Sequence, residues 1–194
     1  MRRARDEPVR LTRIYTRGGD GGETSLGDGS RVSKLDGLVR GFGAVDELNS
    51  ILGWAQVEAR DPRLERIQNE LFDLGADLSV PYVEGDGKLR VTQALIDRLE
   101  GDCDEVNASL PELRSFVLPG GTESAARLHI ARAACRRTEV LLLDVARERP
   151  VNPLAPVYLN RLSDLLFILA RSANPPGEEP LWKPGGERPA TSAD

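Results

Sequence analysis

Two groups of side chains in this chain of 194 residues are spaced for chemistry on an anion. In "LHIARAACRRTEV" Arg132, Arg136 and Glu139 follow one another at helical intervals. On an α-helix the two arginines lie about 40° apart, with Glu139 about 20° to their other side. They form one stripe, with His129 at its polar edge. Arg137 projects from the far flank of the apolar arc and is expected to meet different partners. Guanidinium groups so aligned suit phosphate or carboxylate oxygens, which they bind in pairs of charge-assisted hydrogen bonds. The plainer alternative is a solvated face carrying an Arg136–Glu139 pair worth roughly a few tenths of a kcal/mol.

The second group is the glycine-rich leader "IYTRGGDGGETSLGDGSRVSK", residues Ile14 to Lys34. Thr16, Thr24, Ser25 and Lys34 offer donors for phosphate oxygens, and the glycines let backbone N–H groups approach the same oxygens. No standard loop fits it. The six-residue spacing from Gly22 reaches Gly27, but Asp28 stands where a Walker A loop needs lysine. A dinucleotide-binding turn needs a βαβ unit around it. "GGDGGETS" comes close to a calcium-binding nonapeptide, but that architecture stacks many copies and one is present. Composition alone leaves a phosphate cradle and a disordered leader both open.

The elements that must position these groups read as helices. "VRGFGAVDELNSILGWAQVEAR" places Val45, Leu48, Ile51, Leu52 and Ala55 on one face, with Gly41, Gly43 and Gly53 as close-packing positions. A second helix starts at Pro62 and ends near Ser79, with Leu64, Ile67, Leu71, Leu74 and Leu78 inward. A third runs from Thr92 to about Leu110, with Leu95, Ile96, Leu99, Cys103 and Val106 inward. A fourth, capped by Thr122, runs to about Arg149 with Ile130, Ala131, Ala134, Leu141, Leu142 and Val145 as its apolar arc. A fifth spans about Leu154 to Ser172. Asp46 and Asn49 share a face of the first helix, as Asn160 and Asp164 do on the fifth. Polar residues set into apolar helices often face a cavity or a subunit interface. The reading is an all-α five-helix bundle with a glycine-rich N-terminal leader. "VRLTRIYT" could pair as a short strand, with no sheet evident for it to join. The Pro-, Gly- and charge-rich residues 174–194 read as a disordered tail.

Bulk properties bound the function. Hydrophobic residues make up 40% and charged residues 29%, ordinary for a globular protein, and the length suits one domain. A net charge of −5 argues against broad nucleic-acid binding. The apolar run "LLFILA" is too short to cross a bilayer, and "MRRARDEPVR" lacks the apolar core of a secretory signal. Cys103 and Cys135 have no CxxC pairing and read as packing cysteines in a reducing cytoplasm; with one histidine, a zinc site built by the protein is disfavoured.

Five blocks together add a resemblance: "IYTRGGDGGETSL", "GAVDELNSILG", "NELFDLGADL", "FVLPGGTESAARLHIARAACRRTE" and "VNPLAPVYLNRLSDLLFILAR". In order and spacing they resemble the ATP:corrinoid adenosyltransferases of the propanediol-utilisation type. The resemblance covers residues 12–173, between a flexible N-terminus (1–11) and the tail. It implies a ferritin-like five-helix bundle forming a homotrimer with active sites between subunits. It also implies transfer of the 5′-deoxyadenosyl group of ATP to cob(I)alamin, giving adenosylcobalamin and triphosphate. ATP with Mg²⁺ on its phosphates and cobalamin are the expected ligands, with a reductase and an adenosylcobalamin-dependent mutase as further partners. The implied ATP site takes Thr16, Arg17, Gly18, Gly19, Thr24, Ser25 and Lys34 from the leader. Arg136, Arg137, Thr138, Glu139, Val140 and Asn160 complete it from a neighbour. Arg132 matches an arginine that pairs with an aspartate of the adjacent subunit, here Asp46. Phe116 matches the aromatic beside the lower face of the corrin. The competing reading is a non-enzymatic module that stores the cofactor or delivers it to a mutase.

Overall fold

The computed structural model describes Tyr15 and residues 17–185. The expected flexible N-terminus, Thr16 and all of "VRLTRIYT" except Tyr15 lie outside the described residues. The leader closes into a two-stranded antiparallel hairpin, β1 (Glu23–Ser25) and β2 (Arg31–Ser33), with Thr24 opposite Val32. Five helices follow: α1 (Gly37–Ala59), α2 (Pro62–Leu78), α3 (Gln93–Asn107), α4 (Glu123–Val145) and α5 (Leu154–Ser172).

Local chemistry sets the helix ends. The Asp36 carboxylate accepts the N–H of Leu38 to start α1, and Asp61 accepts that of Arg63 beside Pro62 to start α2. The Thr122 hydroxyl caps α4 by accepting from Ala125 N, as expected, and also donates to the Ala173 carbonyl at the end of α5. Gly121 has φ of 98°, and a Cβ there would lie 2.0 Å from Asn174 Oδ1, so only glycine allows this junction. The helical run of α4 stops at Val145, short of Arg149, and turns complete the segment to Pro150.

α1 packs between α2 and α4, and α5 packs on α4 and α3. Ion pairs from Arg63 and Arg66 of α2 to Asp102 and Glu105 of α3 close the ring. The core holds the expected apolar faces, including Leu48, Leu52, Leu64, Ile67, Leu71, Leu74, Leu99, Leu162 and Leu166. Burial of each such side chain contributes about 1.5–3 kcal/mol. A Cβ on Gly41 would come 2.9 Å from Leu142, which brings α1 and α4 together as expected. Gly43 has no neighbour there and opens a groove instead.

Three expectations need correction. Ile130 is exposed, and the inner face of α4 takes His129, Cys135 and Thr138 in its place, because the helix is held on two sides by α1 and α5. His129 is therefore buried rather than at a polar edge. The segment 174–185 is not a loose tail. Leu118 N donates to the Pro180 carbonyl and Trp182 N to the Phe116 carbonyl, making a short bridge between Val117 and Leu181. Buried Arg171 pairs with Glu179 at 2.9 Å and donates to the Pro111 carbonyl, so a charge pair fixes the segment that composition marked as mobile.

Candidate active site

From Arg17 to Lys34 the leader folds into a hydrogen-bonded corner. Its turns close through Asp20 N to the Arg17 carbonyl and Gly22 N to the Gly19 carbonyl, and Lys34 N donates to the Gly22 carbonyl at 2.9 Å. These bonds bring Gly19 against Lys34: a Cβ on Gly19 would meet Lys34 Nζ at 3.1 Å. Arg31 ties the corner together, donating to the Gly18 carbonyl at 2.9 Å and to Ser25 Oγ at 3.4 Å. Leu26 anchors the hairpin in a small cluster with Leu38 and Val145, and Gly27 N donates to the Ser79 carbonyl at the end of α2. Arg17, Gly18, Gly19, Ser25 and Lys34 are thus gathered on one corner beside α1 and α2.

Between α1 and α2 lies an apolar groove of about 530 Å³ that begins at Ser25 and passes Phe42, Gly43, Asp46, Phe72 and Gly75. Asp46 is exposed in its wall and its carboxylate makes no ion pair among the described residues. Asn49, which shares its face, also lines the groove but is buried, its amide donating to the Gln68 carbonyl.

The arginine stripe occupies the other side of α4, against α5. Glu139 accepts a hydrogen bond from Asn160 at 3.0 Å, which joins the stripe to the fifth helix. Asp164 is held instead by Arg161 of its own helix. Arg136 is exposed and makes no ion pair among the described residues, so the Arg136–Glu139 pair of the plain reading does not form. Arg132 is half-buried with its Nε unpartnered; burial, and then the charge of Arg136, pull its pKa below the ordinary value. Arg137 pairs with Glu47 at 2.8 Å on the far flank, as expected. Thr138 is not on the stripe: it is buried, and its hydroxyl donates to the Ala134 carbonyl and toward that of Ala44. Its hydroxyl is thus spent inside the bundle. Val140 is exposed on the outer surface.

At the end of the stripe a cavity of about 590 Å³ is lined by Leu113, Phe116, Val117, His129, Arg132 and Phe167, with Ser115. Phe116 is 77% exposed, and its ring meets the edge of Trp182 at 5.9 Å. The cavity is mostly apolar and aromatic, with cationic Arg132 in its wall. Such a surface suits a flat, largely apolar ligand, and the adjoining free guanidinium suits an anion. Among the described residues no group of three or more His, Cys, Asp or Glu could hold a metal ion, and no helix is long and apolar enough to cross a membrane.

Arg132 and Asp46 line separate cavities and do not meet within one chain. The sequence reading missed Arg31, although Asp28-Gly29 between two short segments is a strong hairpin signal that would have placed it opposite Ser25. It also missed Phe167 and Trp182, which read as core and tail residues until the fold brings them to Phe116.

The chain matches the model of the cobalamin adenosyltransferase family over residues 14–173. It is 50% identical over 192 residues to a corrinoid adenosyltransferase of Mycobacterium tuberculosis, covering 94% of this chain and 99% of the relative. It is 44% identical to a cobalamin adenosyltransferase of Cupriavidus metallidurans, covering 90% and 96%. Among solved structures, a phenylalanine-to-alanine variant of a PduO-type ATP:corrinoid adenosyltransferase from Lactobacillus reuteri, complexed with cobalamin and ATP, superimposes with a TM-score of 0.81. It shares 34% identity and covers 88% of this chain and 99% of its own.

Proposed function

The chain belongs to the cobalamin adenosyltransferase family, and from that premise we infer that it transfers the 5′-deoxyadenosyl group of ATP to cob(I)alamin at a site shared by two copies of itself. The observation that carries the shared site is the separation of the halves. The leader corner and Asp46 stand on one side of the bundle, and the unpaired Arg132–Arg136 stripe and Phe116 stand on another. A homotrimer in which the α1/α2 side of one chain meets α4 of the next completes both. Arg132 then pairs with Asp46 of the neighbouring copy.

The cobalt of cob(I)alamin, as the nucleophilic substrate, attacks C5′ of ATP. The Co–C bond forms, the C5′–O bond breaks, and its electrons leave on triphosphate. The protein needs no nucleophile of its own. Its task is to hold C5′ over the metal and to stabilise charge on the leaving group. Lys34, the backbone N–H groups around Gly18 and Gly19, and the hydroxyls of Thr24 and Ser25 take the phosphates from one chain. Arg136 takes them from the other, with Glu139 oriented by Asn160 beside it. Mg²⁺ bound with ATP would neutralise part of the charge on the phosphates. Phe116 covers the lower face of the corrin and excludes water or a lower ligand, which makes the Co(II) precursor easier to reduce. Electrons come from a reductase and the product passes to an adenosylcobalamin-dependent mutase, all in the cytoplasm.

The test is turnover. Reduced cobalamin, ATP and Mg²⁺ with the purified protein give the adenosylcobalamin spectrum, and Arg136→Ala nearly abolishes its formation while the helical circular dichroism is retained. An Arg136→Ala protein with most of its activity removes that residue from the mechanism. Binding of both ligands without turnover turns the reading to a storage module, and a monomer in sedimentation removes the shared site.

A further inference from the structure

His129 is the anomaly in the corrin cavity. Its ring lines the wall beside Phe116, Arg132 and Phe167, it is only 3% exposed, and neither ring nitrogen has a hydrogen-bond partner. Phe167 meets it through its ring at 6.2 Å, a contact that satisfies neither nitrogen. Buried polar atoms are nearly always paired, so two orphans on one side chain need a cause. Among the described residues nothing supplies one within the chain. Burial, and then the charge of Arg132, hold the pKa of His129 below its ordinary value, with Glu179 pulling weakly the other way. The imidazole is therefore neutral near pH 7, with one N–H donor and one acceptor.

Resting on the function proposed above, we propose that His129 is the hydrogen-bond partner of a primary amide on the periphery of the bound corrin ring. A primary amide carries a donor and an acceptor, the complement of a neutral imidazole. Both nitrogens are buried in a side chain that lines the cavity, and the broad, roughly two-fold χ2 torsion of histidine allows an edge to turn toward it. Ser115 in the same wall already donates its hydroxyl to the Trp182 carbonyl, and Arg132 on the neighbouring turn is committed to an ion pair in the assembled site, which leaves His129 as the unpartnered polar group of the wall. The free protein thus carries an unsatisfied group that the substrate satisfies. His129 contributes binding and orientation, not chemistry at the cobalt.

This reading makes a prediction that a packing role does not. In His129→Phe the ring is kept and both polar atoms are lost. The thermal midpoint of the ligand-free protein should rise or stay level, while affinity for cob(II)alamin falls about tenfold, equivalent to about 1.4 kcal/mol. Affinity for ATP should not change. Cobinamide, which keeps the ring amides but lacks the nucleotide loop, should show the same loss. His129→Gln, with a donor and an acceptor on a flexible stem, should stay within about threefold of the wild type for cob(II)alamin, against the tenfold loss expected of a missing pair. A lowered midpoint or failure to fold in His129→Phe would show that the nitrogens are satisfied in the free protein, and overturns the proposal. So does unchanged corrinoid affinity, a Gln variant as weak as the Phe variant, or a loss confined to cob(II)alamin. Wild-type protein that binds no corrinoid rejects the proposed function first, and this inference with it.

Discussion

Two charged clusters in this bundle use the same residue types and end in opposite states. At the ends of α2 and α5, Asp77 is buried and fully engaged. It accepts from Arg90 at 2.7 Å, from Asn152 at 2.7 Å and from Val91 N at 2.9 Å. Glu70 nearby accepts from Tyr158 and Arg98 and pairs with Arg66. On α4, Arg132 and Arg136 stand without a carboxylate from their own chain among the described residues, next to a histidine with no partner. The first arrangement is complete in one chain and holds loops to the core. The second has no carboxylate partner among the described residues. A buried charge without its partner costs several kcal/mol, so a fold tolerates such a stripe only where it is partly solvated or where a ligand or subunit arrives.

Removing one member from each cluster should separate these roles. The largest stability effect is expected from Asp77→Ala, which takes the acceptor from the buried Asn152 amide and Val91 N–H and leaves Arg90 only the Asp86 carboxylate. About 3–5 kcal/mol should be lost in urea unfolding. A loss below about 1 kcal/mol would mean that the cluster is a solvated surface pair. Arg136→Ala should reverse the pattern. Turnover should fall roughly 10²–10³-fold, as for loss of a transition-state charge donor, with the urea midpoint unchanged. Equal loss of stability in both variants would erase the distinction.

The bridge between copies is the next test. Arg132→Ala and Asp46→Ala should each weaken trimer formation in sedimentation, and the double variant should be little worse than either. A coupling of about 1.5 kcal/mol or more is expected. Strictly additive effects would place the two residues in unrelated contacts. A smaller effect is expected from acid. His129 titrates lower in the folded state than in the unfolded chain, because of burial and then Arg132. Below the ordinary value of 6.5 the unfolded state takes up the proton first, so stability falls as pH falls through that region. His129→Phe should flatten this acid limb of stability against pH, and an unchanged slope would assign it to other groups. The smallest effect is expected at Arg137, whose pair with Glu47 is exposed on both sides. Arg137→Ala should change unfolding stability by less than about 1 kcal/mol, and a larger loss would make that pair part of the fold.

Helix identity was readable because each helix carries its own evidence. The period of Leu64, Ile67, Leu71, Leu74 and Leu78, the proline at position 62 and the cap at Thr122 all act within a few residues. The face of α4 was not fully readable, because a helix of low amphipathicity packed on two neighbours has no single inner arc. That is why Ile130 and His129 exchanged places with expectation. The tail was misread for a related reason. Pro, Gly and charge suggest mobility, but Arg171 and Glu179 meet only after α5 has turned the chain back toward Phe116.

By itself the sequence determined the helical class, the helix starts at Pro62 and Thr122 and the arginine stripe of α4, since propensity, capping and charge are properties of neighbours along the chain. Only the tertiary structure decided which residues act together. It clamped Gly18 and Ser25 through Arg31, turned Thr138 inward, gave Glu139 to Asn160, set Trp182 on Phe116 and left both nitrogens of His129 unpaired. Those outcomes depend on contacts between residues far apart in the chain, where partners, space and access to water are set by packing.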